Sequence, residues 1–397
     1  MCILRSSPKT RDMTMCQVNA TEIKQSTPSS SKPMAFSLRL ATTFLGGYIF
    51  LWRFHTRKYA PNPSHNIVKT TNLRYKSGSG DPSMVSNLIE WDRKTISLEH
   101  IKLGEGDSLD VSTQQLLQYV VSIHDIVDKK SPWGVVAAFG TDQAVELSVA
   151  LAVTFGSKRE LSVVVTGASK PATEIGADGP ANISDAIAVA ATESARKLAS
   201  MIVCSGLILH PLTTDKFDVS SIQPFQSYET GPLGRVVKCE TVSGVVHRTP
   251  FFYYWAPPEM EILLHVKELA VENEVPIVHS INFYPGYESL LEGKQMDGLV
   301  FAGGSDGYGP NKEIQDQLKK NKTILVVAHQ GARGIVVRDA TGSGIPVGNI
   351  YPRPARTMLL FGMLGKKTEP EMKQYFAIHG GLIPHHLARP ETPRAKL

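Results

Sequence analysis

Thr166-Gly167-Ala168-Ser169-Lys170-Pro171-Ala172-Thr173-Glu174-Ile175-Gly176-Ala177-Asp178-Gly179-Pro180-Ala181-Asn182 is the stretch that decides the reading of this chain. It follows an apolar run, Leu161–Thr166, and leads into a helical pattern. A loop of this length between a buried strand and a helix is uncommon unless it does more than connect them. Asn182 and Asp185 read as the cap of the helix that follows, which is expected to run to about Leu198.

Working outward, β-rich apolar runs appear at Gly134–Ala138, Met201–Cys204, Pro276–Ser280, Gly298–Ala302 and Thr323–Ala328. Helical patterns lie between them. In Ser112–Val127 the residues Leu116, Leu117, Val120, Ile123, Ile126 and Val127 share one face, and Ser112 with Gln115 forms a capping box. Pro310–Lys320 reads as a charged amphipathic helix. Alternation of strand and helix predicts a mostly parallel α/β sheet covered on both faces. In such sheets the chemistry gathers beyond the carboxyl ends of the strands. The Pro-rich stretch Pro250–Pro258 reads as a domain boundary.

A second polar loop leaves a strand at Phe139-Gly140-Thr141-Asp142. Taken alone it is an ordinary helix cap, a task Thr and Asp perform routinely. The Thr-Gly-Ala-Ser turn at Thr166, taken alone, has the look of a short-chain dehydrogenase cofactor loop. That fingerprint needs further glycines so that a pyrophosphate can approach, and Pro171 and Thr173 stand there instead. The pair Tyr308 and Lys312 is interrupted by Pro310. A nucleotide-dependent reductase is therefore disfavoured.

Composition sets outer limits. The chain has 397 residues, 42% apolar and 20% charged, which excludes a wholly disordered chain and a polytopic membrane protein. Four cysteines are too few and too scattered for a disulfide scaffold or zinc ribbon. The formal charge of +5 belongs to the N-terminus, where residues 1–60 hold nine Lys/Arg and two Asp/Glu. The rest is slightly acidic, so no nucleic-acid partner is expected. No metal cluster is legible, and His385 and His386 read as a solvated pair.

Residues 1–33 read as disordered. The run Leu40–Trp52 has 13 apolar-rich residues, against about 20 for a spanning helix. It reads as a short signal anchor, with membrane contact through residues 36–53, or equally as a buried helix, an organelle presequence or captured non-native sequence. Localisation is accordingly cytoplasmic or membrane-anchored.

Read together, the two loops resemble bacterial-type L-asparaginases and glutaminase-asparaginases. The likeness rests on Gly140-Thr141-Asp142, Thr166-Gly167-Ala168, Lys170-Pro171-Ala172-Thr173 and Ala177-Asp178-Gly179-Pro180-Ala181-Asn182. It continues in Phe225-Gln226-Ser227, Gly231-Pro232-Leu233-Gly234, Arg248-Thr249-Pro250 and Ala302-Gly303-Gly304-Ser305-Asp306-Gly307. The resemblance implies a two-domain α/β fold: a flavodoxin-like parallel sheet over residues 63–255 and a smaller α/β domain over 256–380. Residues 1–62 and 381–397 are then tails. It also implies an amidohydrolase that needs no cofactor, takes a small amide substrate and assembles as a dimer of dimers.

The resemblance assigns catalytic roles to Thr141, Asp142 and Lys216, with Lys216 found by counting back from Phe225-Gln226-Ser227. A hydroxyl needs a base to attack, and a lysine beside a carboxylate can serve. The turn at Ala168 would steady the oxyanion. Substrate contacts fall on Glu105, Gly106, Asp107, Thr141, Asp142 and Ala168.

The departures lie around the reacting centre. The family's Thr-Gly-Gly-Thr turn is missing. One register sets Leu45-Gly46-Gly47-Tyr48 there; the preferred one makes Asn66–Thr71 the first strand, with Thr70 or Thr71 as stand-in nucleophile, Thr71 being the choice, and Tyr75 beside it. Gly104-Glu105-Gly106-Asp107 replaces the family's Gly-Ser-Gln-Asp, Phe139 replaces a histidine, Lys170 an arginine, and Tyr308 stands where asparagine is frequent. The alternative is therefore a repurposed or inactive homologue, acting on a different biosynthetic substrate or binding only.

Overall fold

The strand runs read above recur in the computed structural model, which describes residues 48–55, 68–69, 88–91, 94–104, 107–240, 246–253, 259–269, 274–304, 307–338, 342 and 344–382. Thr70, Thr71, Tyr75, Glu105, Gly106, Ser305, Asp306, His385 and His386 lie outside the described residues.

In chain order, the first half contains β1 (Tyr48–His55), β2 (Val68–Lys69), β3 (Leu88–Trp91), β4 (Lys94–Lys102), α1 (Thr113–Lys130), β5 (Gly134–Ala138), α2 (Ala144–Phe155), β6 (Ser162–Thr166) and α3 (Gly179–Ala190). Then come β7 (Met201–Cys204), β8 (Leu207–Leu209), the hairpin β9 (Asp215–Lys216) and β10 (Phe225–Gln226), β11 (Gly234–Glu240) and β12 (Val246–Phe252). The large sheet runs β1-β4-β3-β2-β12-β11-β8-β7-β6-β5 and closes through β1 and β5. Only β5, β6 and β7 are mutually parallel. The sheet is thus mixed and curled, more antiparallel than the flavodoxin-like reading implies.

The first strand departs from the preferred register. Within Asn66–Thr71 the described residues form the short β2, and the slot beside β5 is filled by β1, antiparallel to both β4 and β5. A buried strand edge must be paired, and Tyr-Ile-Phe-Leu-Trp at positions 48–52 is rich in residues that suit a strand. The end of the apolar run is therefore strand rather than membrane helix. Among the described residues, no helix is long and apolar enough to cross a membrane.

The parallel core follows from period-two alternation. Val135, Ala137, Val163, Val165, Ile202 and Cys204 face one apolar cluster, with α1 and α2. Val136, Ala138, Val164, Met201 and Val203 face the other, with α3. Helix α2 is largely apolar and correspondingly buried, with Glu146 its one charged residue. Helix α1 starts as read, with Ser112 at the N-cap and both halves of the Ser112/Gln115 box formed.

Helix α3 differs from expectation. Asp178 occupies the N-cap, Pro180 sits in the first turn, and the helix stops at Ala190 before a separate 3₁₀ turn, Glu193–Lys197. Asp185 is buried in mid-helix and paired with Arg248 of β12. Burial raises its carboxyl above the usual range, against the pull of that arginine.

The second half forms its own parallel sheet: β13 (Val278–Asn282), β14 (Gly298–Gly303), β15 (Ile324–His329) and β16 (Ile345–Pro346), in that order. It carries α4 (Glu288–Leu291), α5 (Lys312–Lys320), α6 (Pro352–Leu364) and α7 (Glu369–His379). Pro250, read as part of a boundary, lies inside β12 opposite Val236 of β11.

Candidate active site

Strands β5 and β6 lie side by side, Ala138 opposite Thr166, so the loops leaving their carboxyl ends are neighbours. The first loop does not cap the helix behind it. The N-cap of α2 is Gln143, and no side chain makes a capping hydrogen bond there. Thr141 and Asp142 are thereby released from the structural task that their local pattern suggested.

Both turn to Lys216. Its Nζ donates to Thr141 Oγ1 at 2.9 Å and to Asp142 Oδ1 at 2.7 Å. Lys216 is 15% and Asp142 35% exposed at the side chain, and Thr141 is buried. The lysine is delivered by the β9–β10 hairpin, where it pairs with Phe225. The three residues that the resemblance placed in one set therefore meet, although Lys216 lies 74 residues beyond Asp142.

Gly167 packs on this set. A Cβ there would sit 2.6 Å from Phe139 O and 3.0 Å from Thr141 Cγ2, so only glycine lets the two loops close. Ala168 follows it, partly exposed. Asp178 then folds the loop back. Its carboxylate accepts from Ser169 N at 3.0 Å, Lys170 N at 2.9 Å and Asn182 Nδ2 at 2.9 Å. Asn182 also donates to Gly167 O at 2.8 Å and accepts from Ser205 N at 2.9 Å. Asp178 has no role in the sequence reading and Asn182 only that of a helix cap; Asp178 takes the cap position, and the two together brace the loop.

Sequence reasoning missed one contributor. Ser108, on the 3₁₀ turn Ser108–Asp110, is buried, and its Oγ lies 3.5 Å from Asp142 Oδ2. It also fills the space where a side chain on Gly140 would stand, 2.2 Å from an added Cβ. A signal was present in the sequence, since the turn directly follows the Gly104–Asp107 loop, but serines are too common in turns to stand out. Asp107, assigned to substrate, accepts from Leu109 N at 3.0 Å and so caps that turn. Thr71, Tyr75, Glu105 and Gly106 fall outside the described residues.

The arrangement is a polar Thr–Asp–Lys set held at the carboxyl ends of adjacent parallel strands, with a glycine turn against it. It defines an α/β protein whose site offers hydroxyl and proton chemistry; among the described residues, no group of three or more His, Cys, Asp or Glu could hold a metal ion.

Comparison with known proteins gives the class its name. Residues 70–247 match the family model described as "Asparaginase, N-terminal". The chain is 28% identical over 301 residues to "Probable L-asparaginase 3" of Schizosaccharomyces pombe, covering 74% of this chain and 79% of the relative. It is 27% identical over 324 residues to "Probable L-asparaginase periplasmic" of Haemophilus influenzae, covering 77% and 87%. The crystal structure of a "Probable Cytoplasmic L-asparaginase" from Campylobacter jejuni superposes with a TM-score of 0.58 at 24% identity, over 69% of this chain and 84% of that one. On these matches residues 70–247 resemble an asparaginase N-terminal domain, and the chain shares the two-sheet α/β fold of the Campylobacter jejuni structure.

Proposed function

We propose that the chain is an amidohydrolase that converts the side-chain amide of L-asparagine, or a close analogue, to a carboxylate and ammonia. The observation that carries this reading is Lys216 Nζ bonded to both Thr141 Oγ1 and Asp142 Oδ1, beside the Gly167 turn, in a chain whose relatives bear the name L-asparaginase.

The chemistry follows from charge. Asp142 holds the lysine, and the lysine donates to Thr141, which makes the threonine hydroxyl a better donor and stabilises it on losing a proton. Thr141 thus directs the attacking oxygen, and the proton that oxygen loses passes to the departing amide nitrogen. Ser169 N and Lys170 N are spent on Asp178, which leaves the Gly167 and Ala168 amides to meet the developing oxyanion. One water is consumed; its oxygen joins the acyl carbon, and the amide nitrogen leaves with the protons as ammonia. Thr71 and Tyr75 are carried as nucleophile and helper by the resemblance alone. The dimer-of-dimers assembly belongs to this reading too, and light scattering of the purified chain tests it.

A second reading is favoured by one sequence observation. Glu105 and Gly106 stand where an amino-acid-binding Ser-Gln pair is expected, and a carboxylate there repels the substrate's own. A repurposed homologue would then act on an amide that is neutral or cationic at that end. Ammonia release by the purified chain decides between them. Turnover of L-asparagine supports the first; turnover of L-asparagine amide or an N-acyl analogue with none of L-asparagine supports the second.

A further inference from the structure

Glu146 is the one charged residue on the largely apolar, buried α2. Its Oε1 lies 3.1 Å from Arg353 Nε, in the first turn of α6, and Arg353 Nη1 is 3.3 Å from Asp215 Oδ1. Arg356, one turn further on, donates from Nε to Val278 O at 2.8 Å. Glu146, Arg353 and Arg356 share the wall of a cavity of about 320 Å³ with Asp142, and Val111 and Leu116 supply an apolar side.

Packing alone does not ask for this grouping. Buried ion pairs seldom stabilise a fold more than apolar residues of the same shape, and an arginine in a first helical turn opposes the helix dipole. The pairing is also incomplete. Glu146 Oε2 and Arg353 Nη1 are buried and make no hydrogen bond among the described residues, a state that proteins rarely leave uncorrected. One carboxylate oxygen, Glu146 Oε2, lacks a donor, and Arg353 Nη1 meets Asp215 only as an ion pair without hydrogen-bond geometry.

We propose that this cavity binds a small zwitterionic α-amino acid. Its carboxylate meets Arg353 and Arg356, whose planar forks suit such a group. Its ammonium meets Glu146 and Asp142, and a short apolar side chain rests on Val111 and Leu116. The volume is at the small end of ligand pockets, which excludes a nucleotide, and two carboxylates in the wall exclude a phosphate. Burial supports the assignment by holding the Glu146 carboxyl above its usual range despite Arg353, a cost that an ammonium would relieve. The site is separate from the hydrolytic one, but the two share Asp142, so occupancy is felt at Lys216. The inference is independent of the reaction proposed above.

Calorimetric titration of the full chain with L-alanine tests it, because L-alanine has no side-chain amide or carboxylate. Binding is expected in wild type and in Thr141→Ala, and at least about tenfold weaker in Arg353→Gln and Glu146→Gln, the usual effect of losing one charged hydrogen bond. Propionate and propylamine, each carrying half of the zwitterion, are expected to bind far more weakly than L-alanine. Thr113→Phe fills the cavity from the start of α1 without touching an ion pair, and it must also abolish binding; this keeps the test decisive should Arg353→Gln fail to fold. No binding of L-alanine, binding lost in Thr141→Ala but kept in Arg353→Gln or Thr113→Phe, or propionate binding as well as L-alanine would each overturn the proposal.

Discussion

Lys216 Nζ lies 2.7 Å from Asp142 Oδ1 and donates to Thr141 at 2.9 Å, joining a hairpin to a loop 74 residues earlier. No local rule of sequence demands this contact. It exists because β5 and β6 bring their carboxyl ends together and the β9–β10 hairpin folds over them.

Replacing Lys216 by Met keeps the length of the side chain and removes the charge. Asparagine turnover is expected to fall by roughly 10²–10⁴, the range for loss of a positioned proton-transfer group. Circular dichroism should be unchanged, since β9 is only two residues long. An ammonia assay checks the rate. A variant with more than a tenth of wild-type turnover would remove Lys216 from the mechanism.

Gly140 and Ser108 are fitted to each other. A Cβ on Gly140 would sit 2.2 Å from Ser108 Oγ and 2.5 Å from Ser108 Cβ. Gly140→Ala should therefore destabilise the fold by about 1–3 kcal/mol, the cost of overpacking. Ser108→Gly removes both clashing atoms, and the double variant should recover much of that loss. Denaturant melts of the two single variants and the pair give the coupling; simple additivity would show that the two residues do not press on each other.

Asp178 gathers the amides of Ser169 and Lys170 and the Asn182 side chain. Asp178→Ala strands these donors, at about 1–3 kcal/mol for each that stays buried. The Gly167 turn then loses its brace, so kcat should fall more than KM rises. Hydrogen exchange at Ser169 and Lys170 should speed up in parallel. Unchanged exchange with full activity would show that the loop stands without Asp178.

The parallel core was readable from sequence because packing alone dictates it: Gly134–Ala138 and Leu161–Thr166 are near-continuous apolar runs, as strands buried on both faces require, and one face of Ser112–Val127 is apolar. The loops were readable because glycine, threonine and asparagine at those spacings serve few other purposes. The first strand was not. Tyr48–His55 and Asn66–Thr71 are both apolar enough to be strands, and the choice depends on which edge of β5 needs a partner, a tertiary fact. The end of α3 was overrun because Glu193–Lys197 continues a helical composition while folding as a 3₁₀ turn. The Glu146–Arg353 pair was invisible for a similar reason, since its partners are far apart in the chain and neither sits in a motif.

His124 and His210 set an acid limit on stability. Burial, aided at His124 by Arg159, drops each imidazole from 6.5 to about 4. Between those values the unfolded chain takes up protons that the folded chain refuses, so stability falls as pH drops from about 6.5 to about 4. Buried Asp185, Asp215 and Glu146, whose carboxyls are raised, work in the opposite sense. Comparing wild type with His124→Gln isolates one imidazole. Gln can keep a bond to Thr154, which His124 Nε2 meets at 3.0 Å. The Tm of the variant should decline less steeply over that window, by a difference on the order of 1–3 kcal/mol in stability. Parallel Tm profiles would show that His124 titrates normally.

Glu105 is the residue through which substrate choice is most directly tested. It stands three positions before Ser108, whose hydroxyl reaches Asp142. The family pattern places a serine there to donate to the α-carboxylate of the substrate. A glutamate instead offers like charge, and one close repulsion costs about 1 kcal/mol even when screened by water, more where water is excluded. Glu105→Ser should therefore lower KM for L-asparagine at least about fivefold, with kcat little changed, because the interaction is present equally in the ground and transition states. Asparagine amide, which lacks the α-carboxylate, should gain nothing. The effect should shrink in high salt, as screening predicts. If wild type already turns over L-asparagine at low KM and Glu105→Ser leaves KM and its salt dependence untouched, Glu105 faces away from the substrate, and the chain works as an ordinary asparaginase despite its altered loop.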